Sequence, residues 1–230
     1  MSKRKASHLR KKSDFLSIKK QIILICERLY LKDMLAGADG NVSCRVSPSN
    51  ILLTPSGVHK AFMLPEDISL IDENGSLKEG QRQPSSEFRM HLSVYQHSAN
   101  ARFVIHAHPP FAISWTIAHP DQLELPSDVL PETILALGTI PIVSYAMPGT
   151  KKLANQISSF LPKNRALILS RHGALSWGET IEEAYNGMER IEHVAKILFH
   201  AELLQELSFL PEEEVRLLRE KRKKLEPFIF

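Results

Sequence analysis

The sequence predicts a single α/β domain. Helical and strand patterns alternate along most of the 230 residues, and a chain of this length can bury one sizeable core. Apolar residues make up 43% and charged residues 24% of the chain, which is ordinary for a globular protein and does not fit a disordered or fibrous one. We therefore expect one folded domain over residues 15–230, preceded by a flexible basic tail at residues 1–14.

The basic tail accounts for the positive net charge of the chain. Six lysines and arginines lie in the first twelve positions with no acid among them, and removing them changes the formal net charge from +3 to −3. A protein that binds nucleic acid is expected to carry positive charge on its folded part as well. We therefore expect no nucleic-acid partner and interpret the tail as a solvated end.

The composition also argues against several locations and types of site. No stretch approaches the roughly 18 consecutive apolar residues of a membrane span, and the N-terminus lacks the apolar segment of a signal peptide. Only Cys26 and Cys44 are present, too few for a disulfide framework or for structural zinc held by thiolates. A cytoplasmic protein without membrane contact is expected.

The first half of the chain combines helices with short strands. Apolar residues recur at helical spacing up to Gly37, a residue typical of a helix C-terminus. The turn signals SPSN and DENG separate β-favouring runs and predict antiparallel strands. The predicted elements are helices at 15–36 and 86–97 and strands at 42–46, 51–53, 68–71 and 102–105.

The second half continues the alternation. Its clearest helix carries Ile181, Ala184 and Met188 at steps of three and four, which marks a face that packs on the core. A mixed-charge run near the C-terminus is typical of a solvated helix. The predicted elements are helices at 131–137, 150–160, 180–207 and 212–226 and strands at 140–143 and 166–169.

Three histidines lie where predicted strands end. His106 and His108 are two residues apart, so their side chains leave the same face of a strand and can reach one ion. His172 follows a buried strand and precedes Gly173, where a tight bend could direct it inward. Three imidazoles with one open position would form a catalytic metal site of the zinc type. The pair at 106 and 108 alone is equally compatible with a structural role.

Glu87 lies at the start of a predicted helix, after Ser85 and Ser86. In the structural interpretation, the serines cap the helix and the glutamate complements its dipole. In the functional interpretation, free N–H groups and two hydroxyls bind an anion, and the carboxylate is a metal ligand or base. The two interpretations are compatible.

Two short stretches rich in turn-forming residues could surround an anion with backbone and side-chain donors. They are GADGN at 37–41 and TPSG at 54–57. Neither matches the GxxxxGK[ST] phosphate loop, and no GxGxxG follows a strand, so nothing supports a nucleotide ligand.

The order of these motifs resembles that of the class II aldolase and adducin family, over residues 20–205. The motifs are GNVS at 40–43, TPSG at 54–57, PSSE at 84–87, HAH at 106–108, YAMPG at 145–149 and RHGA at 171–174. The resemblance implies a three-layer α/β/α fold with a central, mainly antiparallel sheet. It also implies a homotetramer with active sites at the subunit boundaries.

The resemblance assigns roles to residues of this chain. It implies that His106, His108 and His172 bind a divalent ion, normally Zn²⁺ with Mn²⁺ or Co²⁺ as alternatives. It implies that Glu87 is both the fourth ligand and the catalytic acid/base. The substrate phosphate would be held by Asn41, Ser56, Gly57, Ser85 and Ser86.

Within the family, the likeness is greatest to aldolases of ketose 1-phosphates such as L-fuculose 1-phosphate. It implies a zinc-dependent lyase of carbohydrate metabolism that cleaves a sugar phosphate, its small-molecule partner, to dihydroxyacetone phosphate and an aldehyde. Three positions depart from that pattern: Leu130 replaces a tyrosine that protonates the aldehyde oxygen, Ala38 a threonine and Pro148 a phenylalanine. The alternatives are a lyase like methylthioribulose 1-phosphate dehydratase and a non-catalytic, adducin-like binding module.

Overall fold

In the part of the chain that the structure describes, helices lie on both faces of a nine-stranded sheet. This computed structural model describes the backbone of residues 2–225 and the side chains of residues 14–225. The strands are β1 (Asn41–Ser47), β2 (Asn50–Leu53), β3 (Ser69–Ile71), β4 (Leu77–Glu79), β5 (Phe103–Ala107), β6 (Glu124–Leu125), β7 (Ile140–Val143), β8 (Ala166–Leu169) and β9 (Gly173–Gly178). The helices are α1 (Ser2–Leu31), α2 (Phe88–His97), α3 (Pro110–Ala118), α4 (Pro131–Ala136), α5 (Lys151–Ser158), α6 (Ile181–Leu204) and α7 (Glu212–Leu225).

The sheet is mainly antiparallel, as the resemblance implies. Its strand order is β4-β3-β2-β1-β5-β9-β8-β7-β6, and only β7 and β8 pair in parallel. Strands β1, β5 and β9 are neighbours in the middle of the sheet. Residues at the ends of these central strands are therefore brought side by side.

Two cores lie on opposite faces of the sheet, so the three-layer prediction is confirmed. In β5, Ile105 belongs to the core beneath α1, α3 and α6, whereas Val104 belongs to the core beneath α2 and α5. This alternation follows from the two-residue repeat of a strand. Leu29 and Met188 are fully buried in the first core, and Ile157 in the second.

Most predicted elements are confirmed within a few residues, including β7 and β8 at their predicted bounds. The sequence patterns miss α3 and the strands β4, β6 and β9. Pro110 ends a strand but also suits the first position of a helix, where its missing N–H is not needed, and so α3 begins there. Strand β9 carries a glycine at each end, which weakens its strand signal.

The first helix begins earlier than predicted. α1 starts at Ser2 rather than at residue 15 and continues through the basic segment, whose lysines and arginines are good helix formers. The side chains of residues 1–13 lie outside the described part of the chain, as does residue 226 of the predicted C-terminal helix. The solvated, flexible character of residues 1–14 stays a prediction. Among the helices between residues 2 and 225, none has the length and apolar character that a membrane span requires.

Candidate metal centre

The structure brings Glu87 and the three predicted histidines together at one end of the central strands. One potential ligand atom from each of Glu87, His106, His108 and His172 lies within 4.8 Å of all the others. The Nε2 atoms of His106 and His108 are 3.0 Å apart. The Nε2 atom of His172 is 3.2 Å from Glu87 Oε1, and that of His106 is 3.4 Å from Glu87 Oε2. The four side chains therefore face a common point.

The pairing of β5 with β9 explains this convergence. Ala107 of β5 lies opposite Ala174 of β9, so that the end of one strand meets the start of the other. A Cβ atom on Gly173 would overlap the carbonyl oxygen of Ala107 and lie within 3.0 Å of the rings of His106 and His108. Only glycine lets these two segments approach so closely.

Helix α3 supports the turns that carry His108 and His172. The first N–H groups of a helix lack partners within the helix. Here the buried carboxylate of Glu192 accepts hydrogen bonds of 3.0 Å from the N–H groups of Phe111 and Ala112, just after the His108 turn. At the other end of α3, Thr116 Oγ1 accepts a 2.9 Å hydrogen bond from the N–H of Arg171, next to His172.

Hydrogen bonding leaves one nitrogen of His106 free to bind a metal. His106 is fully buried, and its Nδ1 lies 2.9 Å from the carbonyl oxygen of Ala174. A carbonyl can only accept, so Nδ1 carries a proton, and Nε2, which faces the cluster, is the nitrogen available to bind an ion. This arrangement, with one ring nitrogen donating to a carbonyl, is the usual one for a histidine that binds metal.

The electrostatics favour an ionised carboxylate on Glu87 and a neutral imidazole on His108. Burial by itself would raise the pKa of Glu87, but the interaction with His106 and His172 holds that pKa well below its ordinary value. Burial lowers the pKa of His108 to about 3, with further lowering by His106 and His172 against an opposing effect of Glu87. Neutral imidazole nitrogens and a carboxylate oxygen form a donor set suited to a divalent transition metal such as zinc.

Two buried atoms of the cluster make no hydrogen bond of good geometry among the described residues, although one of them, Glu87 Oε1, lies 3.2 Å from His172 Nε2. They are Glu87 Oε1 and His172 Nδ1. Buried polar atoms are normally paired, and unpaired ones need an explanation. A cation at the common point would give the carboxylate oxygen its missing partner and use the free lone pairs of the imidazoles. The residues present therefore fit a bound divalent ion.

A buried row of polar side chains, which the sequence patterns do not reveal, extends away from Glu87. Asn41 Nδ2 donates to Glu87 Oε2 at 2.9 Å, and Asn41 Oδ1 contacts His91 Nε2. On the other side of its ring, His91 Nδ1 is 2.7 Å from Ser43 Oγ, which is 2.6 Å from Tyr95 Oη. The sequence predicts Asn41 as a phosphate ligand, and the structure places its amide against the carboxylate.

The donors in this row can be assigned from Glu87 outwards. The amide oxygen of Asn41 accepts, so His91 Nε2 carries the imidazole proton and Nδ1 accepts from the Ser43 hydroxyl. Ser43 Oγ then accepts from Tyr95, whose other contact, with Arg102 O, is longer at 3.3 Å. Burial lowers the pKa of His91 to about 3, with a smaller contribution from His106 that Glu87 opposes, which agrees with a neutral ring. The row therefore orients the side-chain amide of Asn41 so that its NH₂ group, and not its oxygen, faces the Glu87 carboxylate.

The predicted phosphate residues lie beside this cluster. Pro55 and Pro84 form an antiparallel bridge, Ser56 N–H donates to Gln83 O at 3.0 Å, and Ser85 N–H donates to Thr54 O at 3.1 Å. The loop that carries Ser56 and Gly57 therefore lies against the segment that carries Ser85 and Ser86. Ser56, Gly57 and Ser86 are exposed. Ser85 is buried, and its hydroxyl accepts from the N–H of Glu87 at 3.3 Å, in partial agreement with the capping interpretation.

Comparison with known proteins identifies relatives of this chain. Residues 20–199 match the family described as Class II Aldolase and Adducin N-terminal domain. L-fuculose phosphate aldolase of Methanococcus maripaludis is 34% identical, over 77% of this chain and 93% of the relative. 3-Oxo-tetronate 4-phosphate decarboxylase of Escherichia coli is 27% identical, over 80% of this chain and 86% of the relative.

Solved structures agree with the sequence matches. A structure of L-fuculose 1-phosphate aldolase superimposes with a TM-score of 0.80 at 32% identity, over 90% of this chain and 96% of its own. L-fuculose-1-phosphate aldolase of Thermus thermophilus superimposes with a TM-score of 0.73 at 27% identity, over 86% of this chain and 100% of its own. Because the family match spans most of the chain, the protein belongs to the class II aldolase and adducin family.

Proposed function

We propose that the protein is a metal-dependent carbon–carbon lyase that cleaves L-fuculose 1-phosphate, or a similar ketose 1-phosphate, to dihydroxyacetone phosphate and an aldehyde. The observation that carries the proposal is the convergence of Glu87 with three histidines within 4.8 Å, beside serine-rich loops. Relatives named as aldolases of phosphorylated sugars support this substrate class. A non-catalytic binding module would not need such a cluster of metal-ligating groups, whose burial is energetically unfavourable.

His106, His108 and His172 would hold the ion, proposed to be zinc, with Glu87 as the fourth ligand. When bound, a divalent ion supplies positive charge that stabilises an oxygen anion next to the breaking bond. No lysine is then needed to form a Schiff base with the ketone. The donor bond from His106 to Ala174 O and the bond from Asn41 to Glu87 would keep these ligands oriented.

Glu87 is the proposed acid/base. In aldol cleavage, a hydroxyl proton is removed, the carbon–carbon bond breaks, and its electron pair remains on the carbon next to the ketone. That carbon then takes up a proton, which yields dihydroxyacetone phosphate. Glu87 lies among the ligands, and its Oε1 makes no hydrogen bond among the described residues, so it can move this proton to the carbon. The serine loops would position the reacting end through the distant phosphate.

Leu130 favours a second candidate reaction. It stands where the resemblance places the tyrosine that handles the proton of the aldehyde oxygen, and it lies at the start of α4, packed against the larger core. Decarboxylation of a 3-oxo acid phosphate needs no such proton transfer, yet it leaves the same electron pair next to a ketone. A relative with the name of such a decarboxylase makes this reaction the alternative to aldol cleavage.

Product analysis tests both reactions. The purified protein would be loaded with Zn²⁺, Mn²⁺ or Co²⁺ and incubated with a panel of ketose 1-phosphates and with 3-oxo-tetronate 4-phosphate, with Glu87→Ala as the control. We expect dihydroxyacetone phosphate together with an aldehyde, whereas release of CO₂ would assign the decarboxylase. A metal-loaded protein that converts no substrate of either type would contradict the proposal.

The resemblance also supports assembly as a homotetramer, and we propose a cytoplasmic location. Light scattering should give a mass four times the 26.0 kDa of one chain. A mass of 26.0 kDa at the concentration of the activity assay would rule out a requirement for the tetramer.

A further inference from the structure

Lys60 is buried beneath the loops that the sequence predicts as anion-binding. Lys60 is the first residue of the short 3₁₀ turn Lys60–Phe62, and it is only 1% exposed. The ammonium group donates hydrogen bonds to Ala38 O at 2.6 Å, Val58 O at 2.9 Å and Pro55 O at 3.1 Å. One acceptor belongs to the GADGN loop, and the other two belong to the TPSG turn and the residue after it. A lysine with these surroundings is unusual, because lysine is almost never fully buried unless it is paired.

The contacts of Lys60 require its charged form. Three carbonyl oxygens surround the nitrogen, and a carbonyl can only accept hydrogen bonds. An ammonium group has three protons to donate, whereas a neutral amine has two and would leave one carbonyl without a partner. Burial lowers the pKa of Lys60, and interactions with Cys26, Asp39 and Glu87 oppose that effect.

The positive charge of Lys60 has no ion-pair partner among residues 14–225. Asp39 instead lies 3.7 Å from His108, with its side chain 59% exposed. Cys26 is neutral, because burial raises the pKa of its thiol to about 12. The Glu87 carboxylate acts on Lys60 only from a distance, since its oxygens contact His106 and His172. A buried charge without a counter-charge is unfavourable, even when its hydrogen bonds are satisfied. An anion bound at the neighbouring loops would supply the missing negative charge.

We propose that Lys60 is a positioning residue. Its buried ammonium group holds the GADGN loop and the TPSG turn, and its charge strengthens binding of the substrate phosphate without touching it. This inference rests on the proposed function, in which Ser56, Gly57, Ser85 and Ser86 hold that phosphate. Electrostatic attraction through the protein interior is less screened than attraction through water. The N–H of Lys60 also donates to Gly37 O at 3.0 Å, so the same residue fixes the spacing of the loops.

Two variants separate the charge from the hydrogen bonds. Lys60→Gln removes the charge and keeps two donor protons, whereas Lys60→Met removes both. Lys78→Gln, on the exposed strand β4, is the matched control. Binding of inorganic phosphate to the zinc-loaded protein would be measured by calorimetry, and zinc content by elemental analysis. We expect phosphate to bind about tenfold more weakly to both Lys60 variants, with the zinc content unchanged.

Steady-state kinetics separate a role in phosphate binding from a purely structural role, which would affect substrates with and without a phosphate alike. For Lys60→Gln we expect KM for the ketose 1-phosphate to rise about tenfold with little change in kcat, because attraction to the phosphate acts on binding. The rate constant kcat/KM for the same ketose without its phosphate should stay at the level of the Lys78→Gln control. A Lys60→Gln protein that loses both substrates equally, or that fails to fold, would overturn the inference in favour of a structural role.

The test distinguishes this inference from the proposed function. If the wild-type protein neither binds phosphate nor converts any phosphorylated ketose, the proposed function fails and the inference fails with it. If the wild-type protein does both and Lys60→Gln keeps wild-type phosphate affinity, only the inference is wrong. If Lys60→Met does not fold, Lys60→Gln still decides the outcome.

Discussion

The proposed metal cluster and the proposed phosphate loops are neighbours, but the fold holds them in different ways. The metal cluster, formed by Glu87, His106, His108 and His172, lies at the ends of the central strands, and His106 is fully buried. The phosphate loops, at residues 54–57 and 84–86, are turns in which Ser56 and Ser86 are exposed. The metal cluster is thus tied to the centre of the sheet and to the start of α2, whereas the other region is held mainly by backbone hydrogen bonds between turns.

This difference indicates that the two regions have separate roles, metal binding in one and phosphate binding in the other. His106 lies on β5, and His108 and His172 directly adjoin β5 and β9, so the sheet can hold the precise geometry that a metal centre requires. Exposed turns with free donors can accommodate a phosphate without a single rigid arrangement. Substitutions in the metal cluster should therefore change metal content and turnover together, whereas substitutions in the phosphate loops should change substrate binding alone.

The largest effect is expected for His106→Ala. Loss of a buried imidazole removes one metal ligand, so we expect the ion to be lost and turnover to fall by about a thousandfold or more. Activity and bound metal would be measured together, with His193→Ala on the exposed face of α6 as the control. A His106→Ala protein that retains its metal and its turnover would contradict the proposed role of the cluster in metal binding.

Gly173→Ala tests the close approach of β5 and β9. The added methyl group would overlap Ala107 O and crowd two histidine rings. Overpacking of this kind lowers the free energy of unfolding by about 1–3 kcal/mol, and the displaced rings should bind metal more weakly. Thermal unfolding and a metal-binding titration would measure the two effects. Unchanged stability together with unchanged metal affinity would contradict this expectation, because it would show that β5 and β9 can move apart without harm to the fold or the metal site.

A smaller effect is expected for His91→Phe, which removes the support behind Asn41. Loss of a residue that orients a metal ligand typically weakens metal binding by about 10–100-fold. Competition with a chelator would measure the affinity, and circular dichroism would verify the fold. His97→Phe, near the exposed end of the same helix, is the control. Equal metal affinity in the His91→Phe and His97→Phe proteins would contradict the proposed role of the buried row.

The smallest effect is expected for Ser86→Ala in the phosphate loops. Removal of one hydroxyl donor should raise KM for the ketose 1-phosphate by about tenfold, since a hydrogen bond to a charged group contributes about 1.5–3 kcal/mol. Metal content should stay the same, and Ser158→Ala at the end of α5 provides the control. A loss of metal in Ser86→Ala would show that the two regions are not independent.

Local patterns predict much of the fold. The runs IPIV and ALIL are short and apolar with turn signals around them, and they form β7 and β8 at the predicted bounds. The prolines after His108 carry two meanings, the end of a strand and the start of a helix, and only packing against α6 selects the helix α3. Neighbouring residues do not determine that choice, so it could not be predicted from the local pattern.

The sequence likewise predicts the four residues of the metal cluster but not the groups that support them. His91 lies four residues after Glu87, the residue that precedes α2, and this spacing of one helical turn could have indicated a link. Its contacts with Asn41 and Ser43 join positions about fifty residues apart. Lys60 likewise meets Ala38 only after the chain has folded. Such contacts depend on tertiary structure and have no periodic signal.

The coordination of a bound ion tests the central claim most directly. X-ray absorption spectroscopy of the zinc-loaded wild-type protein would report the ligand atoms, and elemental analysis would report the number of ions. We predict one ion per chain with nitrogen and oxygen ligands only, at about 2.0–2.2 Å. A protein that takes up no ion, or a spectrum with sulfur ligands at about 2.3 Å, would contradict binding by Glu87, His106, His108 and His172.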